Sequence, residues 1–199
     1  MQRFALLSIL ILLCLPAAAR AGEHTLLNGS VRFTTPGAWQ VLAQQTDSDT
    51  QHMTFYVPLP PGGNQDAHDI QDAQDATALA AISAWPNPNN MDATAYGDLV
   101  LSDFREAPEF QVLADTSQGP WRQVLWTGKQ GRTSYLVVER FAAQPDLLLW
   151  FRLSWPASAE QPQELLDQLN LVLNTLAIGN QDVWLGQGLT LDDLEPRDQ

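Results

Sequence analysis

The sequence predicts an α+β domain, an antiparallel β-sheet flanked by two main α-helices. Three observations predict it. Several short segments alternate apolar and polar side chains with period two. Clusters of Pro, Gly, Asn and Asp separate them at hairpin-like distances. Two other segments, one after Asp92 and one after Ser158, switch to helical spacing. The resulting order is strand-strand-strand, helix, several antiparallel strands, helix.

Gly22 to Leu27 reads as a short leader. Ser30 to Thr35 is a strand with Val31 and Phe33 on one face, ended by Pro36-Gly37. Trp39, Val41 and Ala43 alternate with Gln40 and Gln44 in a second strand. Asp47 to Thr50 has turn composition. Met53, Phe55 and Val57 then alternate with His52, Thr54 and Tyr56 in a third strand, antiparallel to the second. Pro58 to Thr77 breaks the pattern and reads as a long hydrated loop, with its acidic part at 62–77. Ala78 to Trp85 is a short apolar run and reads as a buried strand, closed by Pro86 to Asn90.

Asp92 caps the first helix, which carries Ala95 and Leu99 and stops at Pro108. Strands follow at Phe110 to Ala114, Trp121 to Trp126, Tyr135 to Phe141 and Leu147 to Trp155, with Gly128 to Gly131 as a four-residue hairpin turn. In the last strand Leu147, Leu149, Phe151, Leu153 and Trp155 share one face, and Leu148, Trp150 and Arg152 the other. Glu139, Arg140 and Arg152 suit structural pairing on a partly wet face. The second helix begins at a capping-box pattern, Ser158-x-x-Gln161, with Pro162 in its first turn. Leu165, Leu166, Leu169, Val172, Leu173 and Leu176 form one stripe, and Gly179-Asn180 supplies the stop. Residues 180–199 form an acidic tail.

The N-terminus reads as a cleavable signal peptide over residues 1–21. Arg3 gives the charged zone, Phe4 to Leu15 the apolar run, Pro16 the break, and Ala19-Arg20-Ala21 the cleavage site before Gly22. The apolar run is about twelve residues, whereas a spanning helix takes roughly 20. Cys14 follows leucines inside that run, so it is not a lipidation site. With the signal removed, residues 22–199 contain no cysteine, which excludes disulfides, thiolate nucleophiles and cysteine-ligated metals. One domain over residues 22–179 is long enough to bury a core, and of the chain's seven Trp and seven Phe six of each lie within it as large apolar bodies. The whole chain carries a net charge of −13, and Lys129 is its only lysine. Such a surface repels nucleic acid and anionic headgroups and is compatible with a basic protein partner.

In its opening strand Val31-Arg-Phe-Thr-Thr-Pro36 followed by Trp39-Gln-Val, its helix near Asp92 to Phe104, its hairpin around Gly128 to Gly131 and its closing helix after Trp155-Pro156, the chain resembles the PsbP/Mog1 superfamily, in particular the DcrB-like exported bacterial proteins. The resemblance covers roughly Leu26 to Ile178. It implies an antiparallel sheet with packed helices and a binding or assembly role without catalysis. It transfers no catalytic residue. The acidic loop and the tail lie outside it.

Four constellations bear on chemistry. Asp66, His68, Asp69 and Asp72, with Asp75 beyond, offer oxygen and imidazole ligands for a divalent cation, but not in calcium-loop spacing, so the expectation is a solvated loop. A Ser-His-Asp hydrolase lacks G-x-S-x-G, and His52 on a strand face reads as structural. Gly128-Lys-Gln-Gly-Arg-Thr lacks the order of a phosphate loop. In the tail, Trp184, Leu185, Leu189 and Leu191 are candidates for docking another protein, or for packing on the domain itself. No cofactor is expected.

The leading expectation is a non-catalytic exported protein of the Gram-negative periplasm that binds another protein, as an envelope assembly factor, adaptor or immunity-type inhibitor. Two alternatives stand beside it: a small-ligand carrier with an aromatic pocket between sheet and helix, and a cation-dependent hydrolase using the acidic loop.

Overall fold

Alternation along the strands decides where the core sits, because successive side chains in a strand point to opposite faces. The computed structural model describes residues 21–47, 49–59, 77–106, 109–159, 162–179 and 181–182. Its elements are β1 (Gly22–Leu26), β2 (Val31–Thr35), β3 (Gln40–Thr46), β4 (Gln51–Val57), β5 (Ala78–Pro86), α1 (Ala93–Arg105), β6 (Gln111–Gln118), β7 (Trp121–Gln130), β8 (Thr133–Ala143), β9 (Leu147–Pro156), α2 (Pro162–Asn174), β10 (Ala177–Ile178) and β11 (Gln181–Asp182). They form an α+β fold with two antiparallel sheets. Seven strands pair in the order β3-β4-β5-β9-β8-β7-β6, and four in the order β1-β2-β10-β11.

The large sheet is apolar on both faces. One face carries Met53, Phe55, Ile82, Leu149, Phe151 and Trp155, which join Val31 and Phe33 of β2 and the α2 leucines in one buried cluster. The opposite face carries Val124, Trp126, Val137, Phe141 and Leu148, which pack with Ala93, Tyr96 and Leu101 of α1. The two-faced reading of β9 is therefore correct. The α2 stripe is also correct: Leu165, Leu166, Leu169, Val172 and Leu173 are all buried.

Side-chain hydrogen bonds fix the helices in place. Asp92 accepts from the Ala95 amide at 2.8 Å, which caps α1 as expected. Arg122 of β7 is buried and bolts α1 down. It donates to Thr94 O and Asp98 of the helix at 2.9 and 3.1 Å, and to both carboxylate oxygens of Asp115 at 2.9 and 2.6 Å. Trp39 Nε1 donates to Gln168 of α2 at 2.7 Å.

Five readings need correction. The leader at Gly22–Leu27 is a strand over Gly22–Leu26, paired residue for residue with β2. The stripe outlasts its helix: α2 ends at Asn174, and Ala177–Ile178 turns back as a strand against Arg32 and Val31. Four strands thus leave the single sheet to form a second one. The β3 strand exists, but all seven of its residues are exposed, including Val41 and Leu42. A register shift between Val41 and Ala43 marks a bulge, a common device at a sheet edge. The hairpin at Gly128 is tighter than four residues, since Lys129 and Gln130 still pair with Ser134 and Thr133. Only Gly131 and Arg132 lie in the loop, and Gly131 at φ +60 meets the left-handed requirement of a two-residue hairpin turn.

Asp66, His68, Asp69, Asp72, Trp184, Leu185, Leu189, Leu191, the signal region through residue 20, Pro108 and Gln161 of the capping box lie outside the described residues. Among the described residues no three His, Cys, Asp or Glu side chains are grouped to hold a metal ion, and no helix is long and apolar enough to cross a membrane.

Candidate functional site

Helix α1 lies against β7 and β8, and on the same face the surface of β4, β5 and β9 opens into a cleft of about 570 Å³. Its lining includes His52, Leu79, Lys129, Tyr135, Trp150 and Arg152, with Phe104 near the end of α1 and Trp126 of β7. Alternation explains the set. His52 and Thr54 are the off-core residues of β4, and Trp150, Arg152 and Ser154 those of β9. Gly128 contributes by absence: a Cβ there would lie 2.7 Å from the Trp126 ring, so only glycine leaves room for that indole.

A buried charge sits beside the cleft. Glu139 of β8 is 0% exposed and stands directly opposite Arg152 in the β8–β9 register. Its carboxylate meets Arg152 Nη2 at 3.1 Å and accepts from Trp126 Nε1 at 3.3 Å and from Trp150 Nε1. The guanidinium lies 4.4 Å from the Phe104 ring centroid, 5.3 Å from Trp126 and 5.6 Å from Trp150. Three aromatic rings thus cage one cation. Burial raises the Glu139 pKa, and Arg152 and the two indole donors only partly oppose it. Tyr96 is pushed above its usual pKa by burial and by the Glu139 charge, and its hydroxyl is buried without a partner among the described residues.

Structural pairing among Glu139, Arg140 and Arg152 was expected, but not which of them pair or in what setting. Glu139 is enclosed, not half-wet. Arg140 is buried on the opposite face, where it donates to Gln123 at 2.8 Å and lies over Trp121. The missed signal was a lone carboxylate inside the run Leu136-Val-Val-Glu-Arg-Phe141, with one indole, Trp150, two residues before Arg152 on the neighbouring strand.

His52 is a structural link, as expected. Its Nδ1 hydrogen-bonds with Ser83 Oγ at 2.5 Å and its Nε2 with Thr54 Oγ1 at 2.9 Å. Ser83 is fully buried, so no substrate carbonyl can reach its oxygen, and this Ser-His contact is not a hydrolytic pair. Burial lowers the pKa of His52 and of His24, which packs on Phe33 and Phe55. Both imidazoles therefore bind protons less readily folded than unfolded. Their contribution to stability is complete above pH 6.5 and is lost as pH falls from 6.5 through the lowered folded values. Thermal unfolding between pH 8 and pH 5 should show this histidine-dependent loss of Tm, read as the difference from a variant lacking both imidazoles. The double variant His24→Gln/His52→Gln should flatten the fall.

No family model matches the chain, and neither does any curated protein. Solved structures do. The chain is similar to the Saccharomyces cerevisiae Ran-binding protein Mog1p, with 10% identity, 80% of this chain and 95% of that chain covered, and a TM-score of 0.50. It is also similar to LpqN of Mycobacterium tuberculosis, described as involved in cell envelope biogenesis, with 11% identity, coverage of 80% and 91%, and a TM-score of 0.48. A Bacteroides thetaiotaomicron protein matches at 12% identity and a TM-score of 0.44, with 80% of this chain covered. This chain spans 48% of that protein's length. At such identities a likeness speaks to architecture alone, and the likeness to Mog1p gives the chain the PsbP/Mog1-like fold that the resemblance had implied.

Proposed function

We propose that this is a non-catalytic exported protein that binds another protein, and that the partner docks at the cleft beside α1. The carrying observation is composition at one place: Trp150, Tyr135 and Arg152 converge on an open surface of the large sheet, with the buried Trp126 in its wall. Trp, Tyr and Arg are the side chains that dominate protein–protein binding energy, and they do so from rigid, preformed positions. Mog1p, which shares the fold, is described as Ran-binding, so the architecture accommodates a protein partner in that case. Export rests on the n-region, apolar run and Ala19-x-Ala21 site, with the folded domain at 22–179 and the acidic tail at 180–199.

The test is affinity capture from a periplasmic extract with three forms of the chain. Wild type should retain a stoichiometric partner. Leu79→Arg, which fills the cleft, should lose it. Leu42→Arg, on the exposed β3 edge, should keep it. A partner held equally by the Leu79→Arg form would remove the cleft from the proposal. A mature protein whose N-terminal sequence begins at Met1 would remove export.

A small-ligand carrier is the second reading, favoured by the cleft volume, which lies within the range of about 300–1,000 Å³ usual for ligand pockets.

A further inference from the structure

The cleft differs in charge from the molecule around it. Acidic residues outnumber Lys and Arg by 23 to 10 in the chain, yet among the described residues the formal charges that line the cleft are those of Arg152 and Lys129, with no carboxylate beside them. Resting on the reading of this cleft as the partner site, we propose that it takes an acidic side chain carried on an extended segment of the partner.

Three features support this chemistry. Glu139 is fully enclosed, so an occupant meets the guanidinium and not the carboxylate that holds it. Arg152 is held by Glu139 through Nη2 and still lines the cleft with its side chain 21% exposed, so part of the guanidinium remains to meet an occupant. A planar fork suits a carboxylate better than a point charge does. Finally, the cage of Phe104, Trp126 and Trp150 holds the guanidinium in place before binding, so little side-chain freedom remains to be lost.

The flanks fit a peptide. Leu79, Ala81 and Val137 offer an apolar bed for an aliphatic stem. At the rim, Lys129 is tied at 3.0 Å to Glu109, an exposed pair that a competing carboxylate can displace at little cost. The overall negative charge opposes an anion over long range, but that repulsion is screened at physiological salt, whereas contact with Arg152 inside the cleft is screened much less.

The experiment is a titration of the full chain with three acetylated, amidated tripeptides, Val-Glu-Val, Val-Gln-Val and Val-Lys-Val, followed through the indole N–H resonances of Trp126 and Trp150. The glutamate peptide should shift both saturably, with a Kd at least tenfold below the other two. Arg152→Gln should abolish the preference. Lys129→Gln, which leaves the buried pair intact, should reduce it two- to threefold, and it serves if the first variant does not fold. No saturable shift with the glutamate peptide overturns the proposal. Equal binding of the lysine peptide overturns it too, while leaving the cleft as a partner site. Tenfold tighter binding of free 3-phenylpropionate than of the glutamate peptide overturns it in favour of a small organic acid.

Discussion

Glu139→Ala should destabilise the domain by about 3 kcal/mol, measured by urea unfolding with a control at Leu42→Ser. Removing one partner of a buried ion pair generally costs roughly 3–5 kcal/mol, because the other charge is left buried without compensation. Here Arg152 and two indole N–H groups all lose their acceptor together. The lower end of the range applies because the Arg152 side chain is already 21% exposed, so its charge keeps contact with water in the cleft. Glu139→Gln keeps one acceptor oxygen and should cost less.

The same carboxylate makes stability depend on pH with a known sign. Its folded pKa is raised above the ordinary 4.5, so its contribution is complete below pH 4.5 and is lost as pH climbs through the folded value. The wild type should therefore lose stability relative to Glu139→Gln as pH rises through that window. A difference between the two that is independent of pH would show that Glu139 titrates as it does in the unfolded chain.

Trp155→Ala should cost about as much or more, roughly 3–5 kcal/mol, for a different reason. Trp155 is among the largest fully buried side chains and sits where the large sheet meets the α2 leucines and the second sheet. Its removal leaves a void that three layers of structure would have to collapse to fill. With about 2–4 °C lost per kcal/mol in a domain of this size, Tm should fall by roughly 6–20 °C. Leu42→Ser should stay within about 0.5 kcal/mol of wild type, because Leu42 is 56% exposed on a bulged edge. A large loss there would mean that something covers β3.

The elements legible in the sequence are those whose burial repeats for at least three turns or alternations. Met53, Phe55 and Val57 declare β4, the five alternate apolar residues of β9 declare its inner face, and the leucines of α2 declare a helix. β1 was missed because its pairing with β2 is made by backbone groups, and Leu26 alone is fully buried. β10 was missed because two residues are too few to show a period. Leu176 continues the helical stripe in sequence but is buried after the helix has ended, so spacing alone placed the stop too late.

The candidate site was half legible. The alternation of β9 put Trp150 and Arg152 on the face away from the core leucines. What it could not show is register. That Glu139 lies opposite Arg152, and that Trp126 and Trp150 both turn an N–H onto the same carboxylate, depends on how three strands slide against one another. A charge inside an apolar strand signals that a partner exists; its identity comes only from tertiary pairing.

The second sheet has a consequence for the order of assembly. β2 borders β1 on one side and Ala177–Ile178 on the other, and Thr34 is tied to Thr175 by a hydrogen bond spanning 141 positions. Contacts between such remote segments form slowly, because a long loop must close before they yield anything. An early hairpin near the start of the domain must therefore wait, one edge unsatisfied, until nearly all of the chain has emerged. Completion of the fold is in this way tied to synthesis of the segment just past α2, and a chain cut short before residue 175 would leave its first strands without their lock.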